Sequence, residues 1–272
     1  MYQQAILQGG NMQITSSQNP KIKAVLNLRK KRTRDETKQF IIEGYRELWF
    51  AKKTQTLEKL FYCKEFFLGE NESTLIDFYK KQNVEIFECS KKAFEKLSFR
   101  DRPDGLLGVA KQKIKDLKDL KIKKDALFVV VEAIEKPGNL GTILRTCDGF
   151  GADGLICTDI TTDPFNPNVV RASTGTLFTV PLVVTSSSLA FEWLAKSKIQ
   201  MIATTPAAKQ TIQEFDYAKK SALIFGSEQY GLSDFWLKQK IQQAKIPMFG
   251  KSNSFNVAIT CAICLYEARR TV

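Results

Sequence analysis

Residues 126–158 read ALFVVVEAIEKPGNLGTILRTCDGFGADGLICT. The opening ALFVVVEAI is apolar without a break over the length of a strand. Such a run fits a strand covered on both faces in a parallel sheet, not the alternating pattern of a half-exposed one. Pro137, Gly138 and Asn139 then form a loop, and Asn139 can cap a helix through NLGTILRTCD. A second strand, GLICT, closes the stretch. Between helix and strand stands GFGADG, residues 149–154, which matches G-x-G-x-x-G to the letter. A dinucleotide loop has the opposite order: it follows a strand and opens a helix, so that the pyrophosphate meets the helix N-terminus. It also expects an acid roughly 20 residues on, for the ribose. RASTG at that point has none. The glycines therefore read as a helix end and a tight turn.

The same grammar continues to the C-terminus. TVPLVV, KIQMIATT, SALIFG and AKIPM are further strand-length apolar runs, separated by the helical stretches SLAFEWLAKS and DFWLKQKIQQ. This alternation predicts an α/β domain over 125–272, a parallel sheet with helices on both faces and ligands beyond the carboxyl ends of its strands. FGKS, residues 249–252, sits between strand and helix as a P-loop should. The motif also needs glycine at 245, where Lys245 stands.

Working back, residues 111–124 are almost wholly Lys, Asp, Leu and Ile, and read as an interdomain connection. Before them, residues 12–110 predict a smaller α/β domain, with strands at QFIIEGY, LEKLFYC, NVEIFEC and DGLLGVAKQK and helices between. Its first helix is capped by Ser16 or Asn19, with Pro20 in the first turn. Lys21, Lys23, Arg29, Lys30, Lys31, Arg32 and Arg34 crowd this region with no acid before Asp35. Solvated helix faces usually mix signs, so the run is expected to contact phosphate. Residues 1–11 read as a leader, with Met12 as a possible native start.

Lysine and arginine outnumber acids 41 to 29, a net charge of +12, which suits a polyanionic partner such as nucleic acid. Hydrophobic residues make up 43% of the 272, enough for a real core. There is no histidine, which excludes histidine bases, triads and metal sites. The six cysteines are scattered; Cys261 and Cys264 form a C-x-x-C inside a predicted helix, without a second ligand pair for zinc. Buried structural thiols in a reducing cytoplasm are expected, with no metal and no membrane segment.

Polar detail concentrates at three strand ends. Asn139 and Arg145 follow the first strand; Arg145 lies amid Leu140, Ile143 and Leu144, and is either an ion-pair partner or the holder of a phosphate or polarised oxygen. Gly226, Glu228 and Gly231 follow SALIF, where glycine permits close backbone approach to a ligand. Ser252, Asn253, Ser254 and Asn256 follow AKIPM, where Ser254 or Asn253 can also be a plain helix cap.

Taken together and in order, NLGTILR (139–145), GSEQYGL (226–232) and IPMFGKSNSFNVA (246–258) closely resemble the SpoU/TrmH family of RNA 2′-O-ribose methyltransferases. TTDPFNPNVVRASTGTLF and FIIEGYRELWFAKK resemble its connecting segment and its N-terminal substrate-binding domain. Gln229, where the family usually has glycine, and Phe255, often leucine there, are the departures. The resemblance implies a SPOUT-type trefoil knot, an N-terminal domain of ribosomal-protein L30e-like fold, and a homodimer whose interface forms the active site. It implies S-adenosylmethionine held near Thr204, Gly226, Ile246, Met248 and Phe255. It places Asn139, Arg145, Glu228, Ser254 and Asn256 in the catalytic region. Arg145 would hold a phosphate and the developing alkoxide, set by Asn139 and Ser254; Glu228 would orient Asn139 or its loop, and Asn256 the knot loop. The separate N-terminal domain points to large-subunit ribosomal RNA. A tRNA ribose substrate, base methylation and a non-catalytic RNA-binding protein are the alternatives.

Overall fold

A computed structural model describes residues 7–8, 11–54 and 56–270. Its contacts divide the chain into two units: the chain up to Lys113 together with Phe165–Phe178, and Ile114–Pro164 together with Thr179–Val272. The expected leader lies mostly outside the described residues.

The first unit contains β1 (Leu7–Gln8), β2 (Asn11–Ile14), α1 (Pro20–Asn27), α2 (Lys31–Thr37), β3 (Gln39–Glu43), α3 (Tyr45–Ala51), β4 (Leu57–Tyr62), α4 (Glu72–Lys81), β5 (Glu85–Cys89), α5 (Lys91–Leu97) and β6 (Leu106–Lys111). The sheet runs β1-β2-β5-β4-β6-β3 and is mixed: β5 pairs in parallel with β2 and β4, while β6 is antiparallel to β4 and β3. Helix α1 starts as its sequence directs. Asn19 Oδ1 accepts the Lys21 amide at 2.9 Å and Pro20 fills the first turn. Ile22 and Val25 then turn inward against Phe61, Phe87 and Phe94.

Part of the basic run is engaged within the fold. Arg34 is buried, 1% exposed, and its Nη1 donates to the Leu28 and Arg29 carbonyls at 2.9 and 2.8 Å. Arg29 Nη2 donates to the Leu97 and Ser98 carbonyls at 2.8 Å each, with its guanidinium 5.4 Å from the Phe99 ring. Both guanidiniums thus satisfy backbone acceptors at chain turns. Lys31 pairs with Asp35 at 2.6 Å, Arg32 with Glu36 at 2.7 Å, and Lys21 with Glu85 at 3.5 Å. Lys23 and Lys30 stay exposed, with no ion pair or hydrogen bond from their side chains among the described residues.

The second unit contains β7 (Leu127–Glu132), α6 (Pro137–Gly149), β8 (Gly154–Thr158), β9 (Leu182–Thr185), α8 (Ser187–Lys196), β10 (Gln200–Thr204), β11 (Gln210–Thr211), β12 (Ser221–Phe225), α9 (Asp234–Leu237), β13 (Gln242–Lys245) and α10 (Val257–Arg270). The remaining helix, α7 (Pro167–Ser173), belongs to the first unit. There Phe165 and Phe178, on either side of it, pack their rings 4.6 and 6.3 Å from Phe40, so this segment of the 125–272 stretch groups with the first unit. Residues 114–124 pack onto the second unit: Lys115 N donates to the Leu182 carbonyl at 3.1 Å and Leu120 is buried in the core.

The sheet of this unit runs β11-β13-β10-β12-β7-β8-β9, with every neighbouring pair parallel. Strands β7, β8 and β12 are buried along their whole lengths, which is why their sequences carry no polar alternation. The strand expected at AKIPM ends at Lys245, and the helix expected at DFWLKQKIQQ ends at Leu237. Beyond Trp236 that stretch has no wide apolar face for a helix to bury. GFGADG is a turn: α6 ends at Gly149 and Gly151 takes φ +63°. Arg269 of α10 donates to the exposed carbonyls of Phe150 and Gly151 at 3.0 and 2.8 Å. All six cysteines are buried thiols; burial pushes Cys264 up to about 12, so it stays protonated and inert.

Replacing Arg34 with Met should cost about 2–3 kcal/mol of unfolding free energy, because it strands one buried and one part-buried carbonyl. It should leave the salt dependence of RNA binding unchanged. Urea titration and filter binding at several salt concentrations separate the two effects; lost salt dependence with unchanged stability would restore Arg34 to the phosphate surface.

Candidate active site

In the second unit β7 leads to β8 and β9 on one side, while β12, β10 and β13 lie on the other. The strand order therefore reverses between β7 and β12. Parallel sheets bind ligands at such a point, beyond the carboxyl ends of the strands. A cleft of about 630 Å³ opens there. The ends of β10 and β12 contribute Thr204 and Gly226, the chain after β13 contributes Ile246 and Met248, and the approach to α10 contributes Phe255. All five candidate cofactor contacts line this one cleft. Stopping β13 at Lys245 is what frees Ile246 and Met248 to face it.

One carboxylate gathers the chain around the cleft. Glu228, just after β12, accepts Asn139 Nδ2 at 2.7 Å and the Glu135 and Lys136 amides at 3.2 Å each. Asn139 Oδ1 in turn accepts Asn256 Nδ2 at 3.1 Å, across 117 residues of sequence. Asn256 Oδ1 accepts the Ala258 amide at 2.9 Å, so Asn256, rather than Ser254 or Asn253, caps α10. Burial pushes the Glu228 carboxyl up, but the bonds from Asn139 and the backbone amides outweigh it and hold it below its ordinary value of 4.5. A carboxylate so stabilised is anionic at neutral pH and a weak proton acceptor. Its chemistry here is orientation.

The loop carrying Glu228 is closed on itself and tied down at its far end. Ser227 and Gly231 exchange backbone hydrogen bonds at 2.9 and 3.1 Å. A methyl on Gly226 would run into the backbone of Gly231 and Leu232, so only glycine lets the two arms touch. The far anchor is Glu132, the last residue of β7 and 5% exposed. Its carboxylate accepts Ser233 N at 2.7 Å, Ser233 Oγ at 2.6 Å and Ser187 Oγ at 3.3 Å. Trp236 Nε1 donates to the same Ser187 hydroxyl at 3.1 Å. Reading the sequence passes over this role of Glu132, although an acid ending the run LFVVVE is a visible signal. Lys136, Tyr230 and Leu237 also line the cleft and carry no motif.

Of the candidate catalytic residues, the structure brings Asn139, Glu228 and Asn256 into one hydrogen-bonded chain. Ser254 lines the cleft with its backbone carbonyl held by Ser252 Oγ at 2.9 Å and its hydroxyl open. Arg145 stands apart. It lies on the exposed face of α6, outside the cleft lining, with no ion pair or hydrogen bond from its side chain among the described residues. The ion-pair alternative for Arg145 is therefore not realised. No cluster that could hold a metal ion occurs among the described residues.

Comparison with known proteins identifies the family. The sequence model of the SpoU rRNA Methylase family matches residues 126–266, and that of the MRM3-like substrate binding domain matches 19–108. An uncharacterised tRNA/rRNA methyltransferase of Synechocystis is 34% identical over 94% of this chain and 93% of its own length. A 23S rRNA (guanosine(2553)-2′-O)-methyltransferase of Bacillus subtilis is 27% identical over 94% of this chain and 99% of its own. The crystal structure of an AdoMet-bound rRNA methyltransferase from Sinorhizobium meliloti superposes with a TM-score of 0.89 at 30% identity, covering 97% of this chain and 99% of that one.

Because the Glu228 carboxyl sits lower in the folded protein than in the unfolded chain, its bonds stabilise the site above the ordinary carboxylate range and are lost as pH falls through the lowered value. Cofactor affinity measured by calorimetry should therefore hold from about pH 8 to about pH 5 and fall below that. In Glu228→Gln affinity should already be reduced at pH 7. Unchanged affinity in that variant would remove Glu228 from the site's framework.

Proposed function

Because the chain belongs to the SpoU rRNA methylase family, we propose that it methylates a ribose 2′-hydroxyl of large-subunit ribosomal RNA from S-adenosylmethionine, working in the cytoplasm as a homodimer. The observation that carries this reading is the Glu228–Asn139–Asn256 chain, which joins the three motif segments at the mouth of one cleft. The B. subtilis relative is named for 23S rRNA, and the chain aligns with nearly all of it, which supports a ribosomal over a transfer RNA substrate. The described residues contain no helix long and apolar enough to cross a membrane.

The cleft fits the cofactor. Its volume suits a nucleoside-sized ligand. Met248, Leu237 and Phe255 offer apolar walls, while Gly226 removes the side chain from the strand end where a ligand lies close. Thr204, Gly226, Ile246, Met248 and Phe255 would hold it. When bound it supplies a methyl group on a sulfonium centre, whose departing thioether is neutral. What remains for the protein is alignment of the ribose oxygen and help with its proton.

Asn139 has both ends of its amide engaged, so its part is to lock α6 to the cofactor loop. Ser254, with its hydroxyl open on the cleft, positions the ribose. Arg145 is effectively always protonated, which suits holding a phosphate and a developing alkoxide rather than accepting a proton. Its position outside the cleft lining is accounted for by the homodimer: α6 packs against α10, whose Ile259 and Tyr266 are 49% and 58% exposed. A second copy covering this face would carry one protomer's Arg145 towards its partner's cleft. The trefoil path belongs to the same reading. Asn256, after the chain has passed β12, bonds back to Asn139, a contact compatible with a threaded C-terminal segment.

Methyl transfer to 23S rRNA by Arg145→Ala should fall about 10²–10³-fold in kcat, the cost of one transition-state donor. AdoMet affinity should stay unchanged. A near-wild-type rate would end Arg145's assignment. In sedimentation, Ile259→Glu with Tyr266→Glu should convert a dimer to a monomer with the rate lost; a wild-type monomer would contradict the homodimer.

A further inference from the structure

Within the basic run Arg29 and Arg34 bind carbonyls and Lys21, Lys31 and Arg32 pair with acids, while Lys23 and Lys30 stay open. A different face of the first unit has its cations unpaired. Arg46, Trp49 and Lys53 are exposed and recur at i, i+3 and i+7, which places them on one side of α3 and its C-terminal turn. Trp49 is 44% exposed. Tyr45 lies beside it, ring centroids 6.1 Å apart and planes 24° from parallel. Lys52 Nζ stands 3.3 Å from the Trp49 ring centroid and 5.3 Å from that of Phe78 on α4.

No acid answers these cations. Glu47, the acid of the same helix, is buried and bound to Arg100 at 2.7 Å. Arg46, Lys52 and Lys53 have no acidic partner among the described residues. A half-exposed indole with cations that no acid neutralises around it, Arg46 lying 5.9 Å over the Phe50 ring, suits a ligand that is both flat and anionic. An unpaired nucleotide is both: its base stacks on an aromatic face and its phosphates meet the cations. A duplex has its bases stacked internally and can use only the cations.

We propose that the Arg46–Trp49–Lys53 face of α3 is a stacking site for an unpaired nucleotide of the RNA substrate, with Trp49 against the base and Arg46 and Lys53 on the adjoining phosphates. This rests on the RNA-methyltransferase reading and adds where and in what form the RNA is held.

The test uses the full chain, a single-stranded oligoribonucleotide of about 12 nucleotides, and a blunt RNA duplex of the same length. In fluorescence anisotropy Trp49→Ala should weaken single-strand binding about 10-fold, within the range for one stacked base. Duplex binding should change less than twofold, and Trp49→Phe should recover most of the loss. Arg46→Ala and Lys53→Ala should each lower the salt slope by about one. Tm and AdoMet affinity of each variant report that the fold and the cleft are intact. Wild-type single-strand affinity in Trp49→Ala, or equal loss on both RNAs, would overturn the stacking site. A wild-type protein that binds single strands through Trp49 but transfers no methyl group would instead count against the methyltransferase reading alone.

Discussion

Everything at the cleft depends on where the Glu228 carboxylate sits. It accepts hydrogen bonds from the loop after β7 and from Asn139 on α6, and through Asn139 it reaches Asn256 at the head of α10. The site is therefore made by closing three loops that follow three different strands, not by one loop with its own sequence. Glu132 plays the corresponding part behind the cleft, holding Ser233 to the end of β7. Two anions, one partly open and one buried, thus clamp the Gly226–Ser233 stretch from either side. Such groups do not react. They keep those that do within the narrow tolerance that methyl transfer demands.

The division of labour among the polar residues follows from who is free. Asn139, Asn256 and Glu228 have their hydrogen-bonding groups directed at one another. Ser254 and Arg145 have theirs directed at solvent. A residue saturated within the fold scaffolds; one left open at a cleft or on an exposed helix face is available to a substrate or to a second copy of the chain. The absence of histidine is compatible with this economy, because the sulfonium supplies the leaving group.

Much of this was legible in the residues. Unbroken runs such as LFVVV and SALIF announce strands buried on both faces, and each proved to be central in a parallel sheet. GFGADG could be read as a turn because its place between helix and strand is itself sequence information. What stayed hidden has a common cause: backbone acceptors and distant partners leave no trace in composition. Arg29 and Arg34 look like surface charge until the carbonyls of Leu28, Leu97 and Ser98 are placed against them. Glu132 looks like the end of a strand until Ser233, 101 residues later, returns to it. Phe165 and Phe178 look like part of the second half until they pack on Phe40. The shift of β13 to QQAK was missed because a short polar strand near a sheet edge lacks the apolar signature of its neighbours.

On the proposed reading this cleft delivers a methyl group to a ribose oxygen. Incubating unmodified 23S rRNA with the protein and isotopically labelled S-adenosylmethionine, then digesting to nucleosides and separating them by mass, tests it most directly. The label should appear in a single 2′-O-methylated nucleoside, and its rate of incorporation should fall about 100-fold or more when Asn139 or Arg145 is replaced by alanine. Label on a base, or none in RNA despite bound cofactor, would contradict the account.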